Sequence, residues 1–216
     1  VSGTPAHAGI LKTQNTTSTP FTTGKTWGGT VEYNAASGGQ TIMTGTYATL
    51  TLSNTGGTDI ASGALATTTF NTTAGGTLNM ATFALTATTV SHAGILTTQN
   101  TTATPIPTGM TWGGTVQYDG AAQTVSSGTY NNLNLAGSGA KTMTGVSTIN
   151  GNFTLSGSAT ATPATALAVA GTTTLLGHNL FGHRDGANFP PHPTDKCGTV
   201  PAQLNTGIGG DVEVKT

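Results

Sequence analysis

A long internal repeat constrains this chain more than any other feature. The stretch from His7 to Asn34, HAGILKTQNTTSTPFTTGKTWGGTVEYN, returns 85 residues later at His92 to Asp119 as HAGILTTQNTTATPIPTGMTWGGTVQYD, with 21 of 28 positions identical. After a two-residue deletion the match runs on, from Gln40, Gly45, Tyr47, Leu50 and Leu52 to Gln123, Gly128, Tyr130, Leu133 and Leu135. Self-similarity at such a period predicts a stacked or tandem architecture, because each copy buries its apolar face against a neighbour.

Only 6% of the 216 residues are charged, against roughly 25% in ordinary globular domains. Thr supplies 50 residues and Gly 32, so the surface must be covered by hydroxyls and amides. The branched Cβ of Thr suits a pleated sheet, and Gly and Asn mark corners. The composition reads as all-β. It also suits a disordered chain, but the short apolar alternations oppose that.

Those alternations are Leu50/Leu52, Leu133/Leu135, Phe153/Leu155 and Leu167/Val169, each placing two apolar side chains on one strand face. Further strands are predicted at Thr30–Tyr33, Leu78–Met80, Phe83–Leu85, Thr115–Tyr118 and Val146–Ile149. Gly-Gly, Ser-Gly and Ala-Gly-Ser-Gly segments between them read as turns. No window carries a capped helical stripe. Two architectures remain: a pair of β-sandwiches, or an elongated β-solenoid (parallel β-helix) whose coils stack about 4.8 Å apart. The solenoid is favoured, because it needs only thin inward rows of Leu, Val, Ile and Ala, whereas sandwiches want larger hydrophobes. Stacked Thr and Asn side chains can add hydrogen-bonded ladders. The solenoid region is expected over residues 1–175, with copies near 7–91 and 92–175.

Residues 116–125 (VQYDGAAQTV), Gly128–Leu135 (GTYNNLNL) and Ile149–Leu155 (INGNFTL) resemble the β-strand repeats of large secreted bacterial surface proteins and autotransporter-like adhesins. The resemblance covers about residues 26–175. It implies an extracellular, non-catalytic module used in adhesion, surface coats or filaments.

From residue 176 the character changes. Residues 176–216 hold 7 of the 13 charged residues, three of the five histidines, and prolines 190, 191, 193 and 201. Gly177–Gly182 (GHNLFG) is similar to a stretch near the end of some parallel β-helix surface proteins. A solenoid's last coil exposes unpaired backbone groups, and an irregular, charged tail suits a cap or subunit contact. The terminal Asp211–Thr216 alternates strictly. Val212 and Val214 on one face make it a candidate assembly strand that adds to a neighbouring subunit by β-augmentation, or else a strand that packs within its own chain. End-to-end stacking of open coils would give a polymer, because a head-to-tail contact need not close.

The candidate sites are few. His178, His183, Asp185, His192, Asp195 and Cys197 carry metal-ligand chemistry, but their spacing matches no zinc pattern. No cofactor is expected, and a cap held by ordinary hydrogen bonds is the stronger reading. His7 and His92 recur just before Ala-Gly-Ile-Leu and read as corner residues bonding a backbone group. Trp27 and Trp112 recur before Gly-Gly. Each reads as an anchor covering the core at a bend, or else as an exposed platform for a sugar ring. Thr-x-Thr pairs such as Thr44/Thr46, Thr49/Thr51 and Thr86/Thr88 raise ice binding, at irregular spacing. The sequons at Asn15, Asn71, Asn100 and Asn152 are expected by chance in so Thr-rich a chain.

Catalysis looks poor. Before the tail the acids are Glu32, Asp59 and Asp119, and Glu32 becomes Gln117 in the second copy, so no repeated carboxylate pair exists. The net charge of −1 and the scattered six Lys and Arg argue against nucleic acid. No apolar run approaches the ~20 residues of a membrane span. Cys197, the only cysteine, permits no internal disulfide. The absence of a leading Met reads as processing or excerpting. The sequence thus points to an extracellular structural protein that assembles with itself, a filament subunit, coat element or adhesin stalk. The alternative is a module binding carbohydrate, or ice, on a solenoid face.

Overall fold

In the computed structural model the described residues are 7–164 and 166–176, with the backbone of 180–181. Among them there is no helix, and so none long and apolar enough to cross a membrane. Every strand pairing is parallel, and the chain coils as a β-solenoid of about eight turns. The sandwich alternative is excluded.

Four long strands stack in the first copy: β2 (Lys25–Tyr33), β4 (Gly45–Leu52), β6 (Leu65–Thr72) and β8 (Leu85–His92), with β1 (Ile10–Thr13) before β2. Short strands stack beside them: β3 (Thr41–Ile42), β5 (Asp59–Ala61), β7 (Thr77–Asn79) and β9 (Ile95–Thr98). β10 (Met110–Tyr118) then lies on β9 and the end of β8, followed by β12 (Gly128–Leu135), with β11 (Gln123–Thr124) between them in sequence. The ladder continues through β14 (Thr148–Ile149), β15 (Phe153–Leu155), β17 (Ala168–Val169) and β18 (Thr173–Leu175). A second sheet stacks β11, β13 (Ser138–Met143), β16 (Ser158–Pro163) and β19 (Leu180–Phe181). Apart from β19, the expected cap segment 176–216 lies outside the described residues beyond Leu176.

Alternation does the sorting. In β4 the inward Tyr47, Leu50 and Leu52 are buried while Thr46 points out. Register then aligns inward residues of successive coils. One column runs Thr13, Tyr33, Leu52, Thr72, His92, Trp112, Tyr130, Ile149 and Val169, and so threads the full described length. A second stacks Leu11, Val31, Leu50, Phe70 and Val90. A coil takes about 20 residues, and the four steps from Tyr33 to Trp112 consume 79. The 85-residue copy therefore overshoots four coils by six residues. Trp27 shares its column with Tyr47 and Thr67, whereas Trp112 stands on His92. Equivalent motifs consequently face different directions around the rod.

Phe83–Leu85 is not a strand as expected. The Phe83 amide bonds Met80 O in a turn, and β8 begins only at Leu85. Ser138 and Gly139, read as turn chemistry, open β13 instead. The expected polar ladders form. Thr89 Oγ1 donates to Thr69 Oγ1 at 3.0 Å, while Asn132 Oδ1 accepts from the Asn152 amide and Asn152 Oδ1 from the Thr172 amide.

Candidate functional site

The histidine and tryptophan of each copy meet as a pair across adjacent coils. His7 and Trp27 lie edge-on at 5.8 Å and 78°, and His92 and Trp112 at 5.5 Å and 75°. Each histidine bonds a backbone carbonyl, His7 Nε2 to Thr30 O at 3.3 Å and His92 Nε2 to Thr115 O at 3.2 Å. That is the backbone-bonded role expected for them. The Thr72 hydroxyl accepts from the Ala93 and Gly94 amides, which leaves its proton for His92 Nδ1 at 2.8 Å. His92 Nε2 then carries the ring proton and donates to Thr115. Burial holds the His92 pKa below the ordinary imidazole value, against the opposing pull of the Thr115 bond.

Neither tryptophan presents a surface platform. Trp112 is 0% exposed and Trp27 7%. Each anchors the core, and the glycines that follow have a backbone reason. A register shift between Trp27 and Thr30, repeated between Trp112 and Thr115, bulges the strand. A Cβ at Gly29 would meet Gly9 O at 2.3 Å, and one at Gly114 would meet Gly94 O at 2.2 Å. The two copies differ in what surrounds the pair. Cavities of about 710 Å³ and 260 Å³, lined by residues between His7 and Trp27, flank Trp27.

A second constellation escaped sequence reasoning. Gln40 and Gln123 are buried clips at equivalent corners. Gln40 Oε1 accepts from the Ala35 amide, and its Nε2 donates to Thr13 O and Asn15 O of the coil beneath. Gln123 Oε1 accepts from Gly120, and its Nε2 donates to Thr98 O and Asn100 O. On Gln40 sits Asp59, whose Oδ1 accepts from the Gln40 amide while Oδ2 is buried without a partner. Burial raises its pKa to about 6, partly opposed by that bond. On Gln123 sits Lys141, whose Nζ donates to Gly120 O, Ala121 O and Gln123 Oε1 at 2.6–2.7 Å. Burial lowers its pKa to about 8, against the attraction of Asp119. The signal available was parity: Asp59 alternates with Ala61, and Lys141 with Met143, which puts both charges on inward faces.

Tyrosines close the corners in the same way. Tyr47 donates to Met43 O and Tyr130 to Ser126 O, while Tyr33 and Tyr118 accept from the Met43 and Ser126 amides. On the outer surface Lys12 pairs with Glu32 at 2.9 Å. Burial pushes the Glu32 carboxyl up, but the Ser53 hydroxyl and Lys12 outweigh it and leave the pKa below the usual value.

No protein-family model, curated protein or solved structure matches this chain. The threonine pairs point outward without forming one array: Thr49, Thr69 and Thr89 share a column, but Ala66 interrupts Thr46 and Thr86, and Asn71 and Ser91 follow Thr51. The candidate metal ligands His178, His183, Asp185, His192, Asp195 and Cys197 lie outside the described residues, as do Val212 and Val214. Among the described residues no group of three or more His, Cys, Asp or Glu comes together.

Proposed function

We propose that this chain is a non-catalytic structural element of an extracellular surface, a solenoid rod used as a filament subunit, coat element or adhesin stalk. The unbroken column from Thr13 to Val169 supports this reading most directly. Each coil is tied to the next by parallel main-chain bonds, so stiffness and length accrue coil by coil. The sparsely charged surface, clad in hydroxyls and amides, suits a passive spacer. The resemblance to bacterial surface repeats adds the location.

Antibody raised against the protein should decorate fibres or a coat on intact cells of the source organism. Label confined to the cell interior would contradict the reading. A second reading, carbohydrate binding, draws on the two cavities beside Trp27, where Phe21 and threonine side chains also line the wall. A glycan array probed with dispersed monomer tests it.

A further inference from the structure

Gln123 of β11 and Lys141 of β13 bring a carboxamide and a primary amine into contact inside the rod, and both side chains are buried. The amide is fixed in place. Its Nε2 donates to Thr98 O and Asn100 O, and its Oε1 accepts from the Gly120 amide at 2.8 Å. Lys141 Nζ lies 2.7 Å from the same Oε1. A carbonyl bond is about 1.2 Å long, so Nζ is within about 4 Å of Cδ, near the separation at which such groups react. Asp119 buries an Oδ1 that no donor meets, and its charge acts on Lys141. On the other flank β16 places Ala161 against Lys141, which leaves Asp119 as the charged group acting on the amine among the described residues.

We propose that Lys141 and Gln123 join within the folded chain as an intramolecular amide, a covalent staple between successive coils. The neutral amine attacks Cδ, and the Nζ–Cδ bond forms while the carbonyl electron pair moves to Oε1. The Gly120 N–H that already bonds Oε1 stabilises the negative charge there. Asp119 takes the excess proton from Nζ and passes it to Nε2, the Cδ–Nε2 bond breaks, and ammonia leaves. Nothing is oxidised or reduced, and no further reactant is consumed. Burial lowers the Lys141 pKa to about 8 and so favours the neutral amine that the step requires. The free amine is the starting state, and its titration belongs to the chain before the staple closes. The first copy cannot follow, because Asp59 sits over Gln40 there and offers no amine.

Intact-mass spectrometry of the full folded chain tests this, with samples held for days at about pH 9, above the Lys141 pKa of about 8. The chain should become lighter by one ammonia, and not by two. Once it is denatured, trypsin should no longer cut behind Lys141, whose nitrogen has lost the charge that the protease recognises. The peptide should then run from Thr26 to Arg184 and fragment as a loop closed between residues 123 and 141. The same chain kept in urea at that pH should retain its full mass. Lys141→Arg should abolish the loss, with a melting curve to check that the variant folds. A folded parent whose mass never falls, or one that trypsin still cuts fully behind Lys141, would overturn the proposal. So would an ammonia loss that maps to a cyclic imide at Asn150-Gly151 in place of the joined peptide.

Discussion

Lys141 stands in the second repeat where Asp59 stands in the first, each a buried charge stacked on the buried glutamine of the coil beneath. The two copies thus keep the glutamine clip but place opposite charges on it. Lys141 meets three acceptors, whereas Asp59 meets one donor and leaves Oδ2 unpaired. Burial moves the two pKa values in opposite directions, and stability must therefore respond to pH with opposite slopes.

For Asp59 the folded pKa of about 6 lies above the ordinary value of 3.8. The folded chain holds that proton more tightly, so its contribution is full below about pH 4, is lost as pH rises through 6, and is flat beyond. Each tenfold change in proton affinity is worth roughly 1.4 kcal/mol, so the loss is at most about 3 kcal/mol. Urea unfolding between pH 4 and 7 should show this fall, and Asp59→Asn should flatten it.

For Lys141 the folded pKa of about 8 lies below the ordinary 10.5. Between those values the unfolded chain binds more protons, and stability rises with pH. Lys141→Met removes that slope and orphans three acceptors, at about 1–3 kcal/mol for a buried group left unsatisfied. Its destabilisation, measured by denaturant midpoint, should be larger at pH 10 than at pH 7.

Gly114→Ala drives a methyl against Gly94 O and should cost about 3 kcal/mol, the upper end for overpacking. Gly9→Ala meets nothing within 4 Å and should stay within about 0.5 kcal/mol. Equal melting shifts for the pair would contradict the bulge explanation of the Trp-Gly-Gly motif.

Phe70 fills the column between Leu50 and Val90. Phe70→Ala should cost about 3–5 kcal/mol. Hydrogen exchange should localise the loss of protection to β4, β6 and β8 before the distant β15.

The apolar alternations made β4, β12 and β15 legible, because Leu-x-Leu or Phe-x-Leu on a polar background has one physical reading. β6 and β8 were hidden: their inward positions include Thr67, Thr72, Ala87 and His92, which carry no apolar signature of their own. For the same reason the coil of about 20 residues went unseen while the 85-residue copy was plain. What recurs from coil to coil is burial at a register position, and Tyr47, Thr67 and Ala87 share one column without sharing chemistry. β13 was disguised by Gly137 and Gly139, whose positive φ angles bring them against the backbone of the coil beneath. Trp27 and Trp112 could be read as anchors or platforms until burial decided. The buried charges Asp59 and Lys141 needed the strand parity around them to be trusted over their own polarity.

The most direct test of the account is the length of the particle. Inserting one more 85-residue copy adds about four coils, hence about 20 Å along the axis at a coil spacing near 4.8 Å. Small-angle scattering from the parent and the extended chain should show that increment at unchanged cross-section. A thicker particle of the same length would contradict a rod built by stacking one coil upon the last.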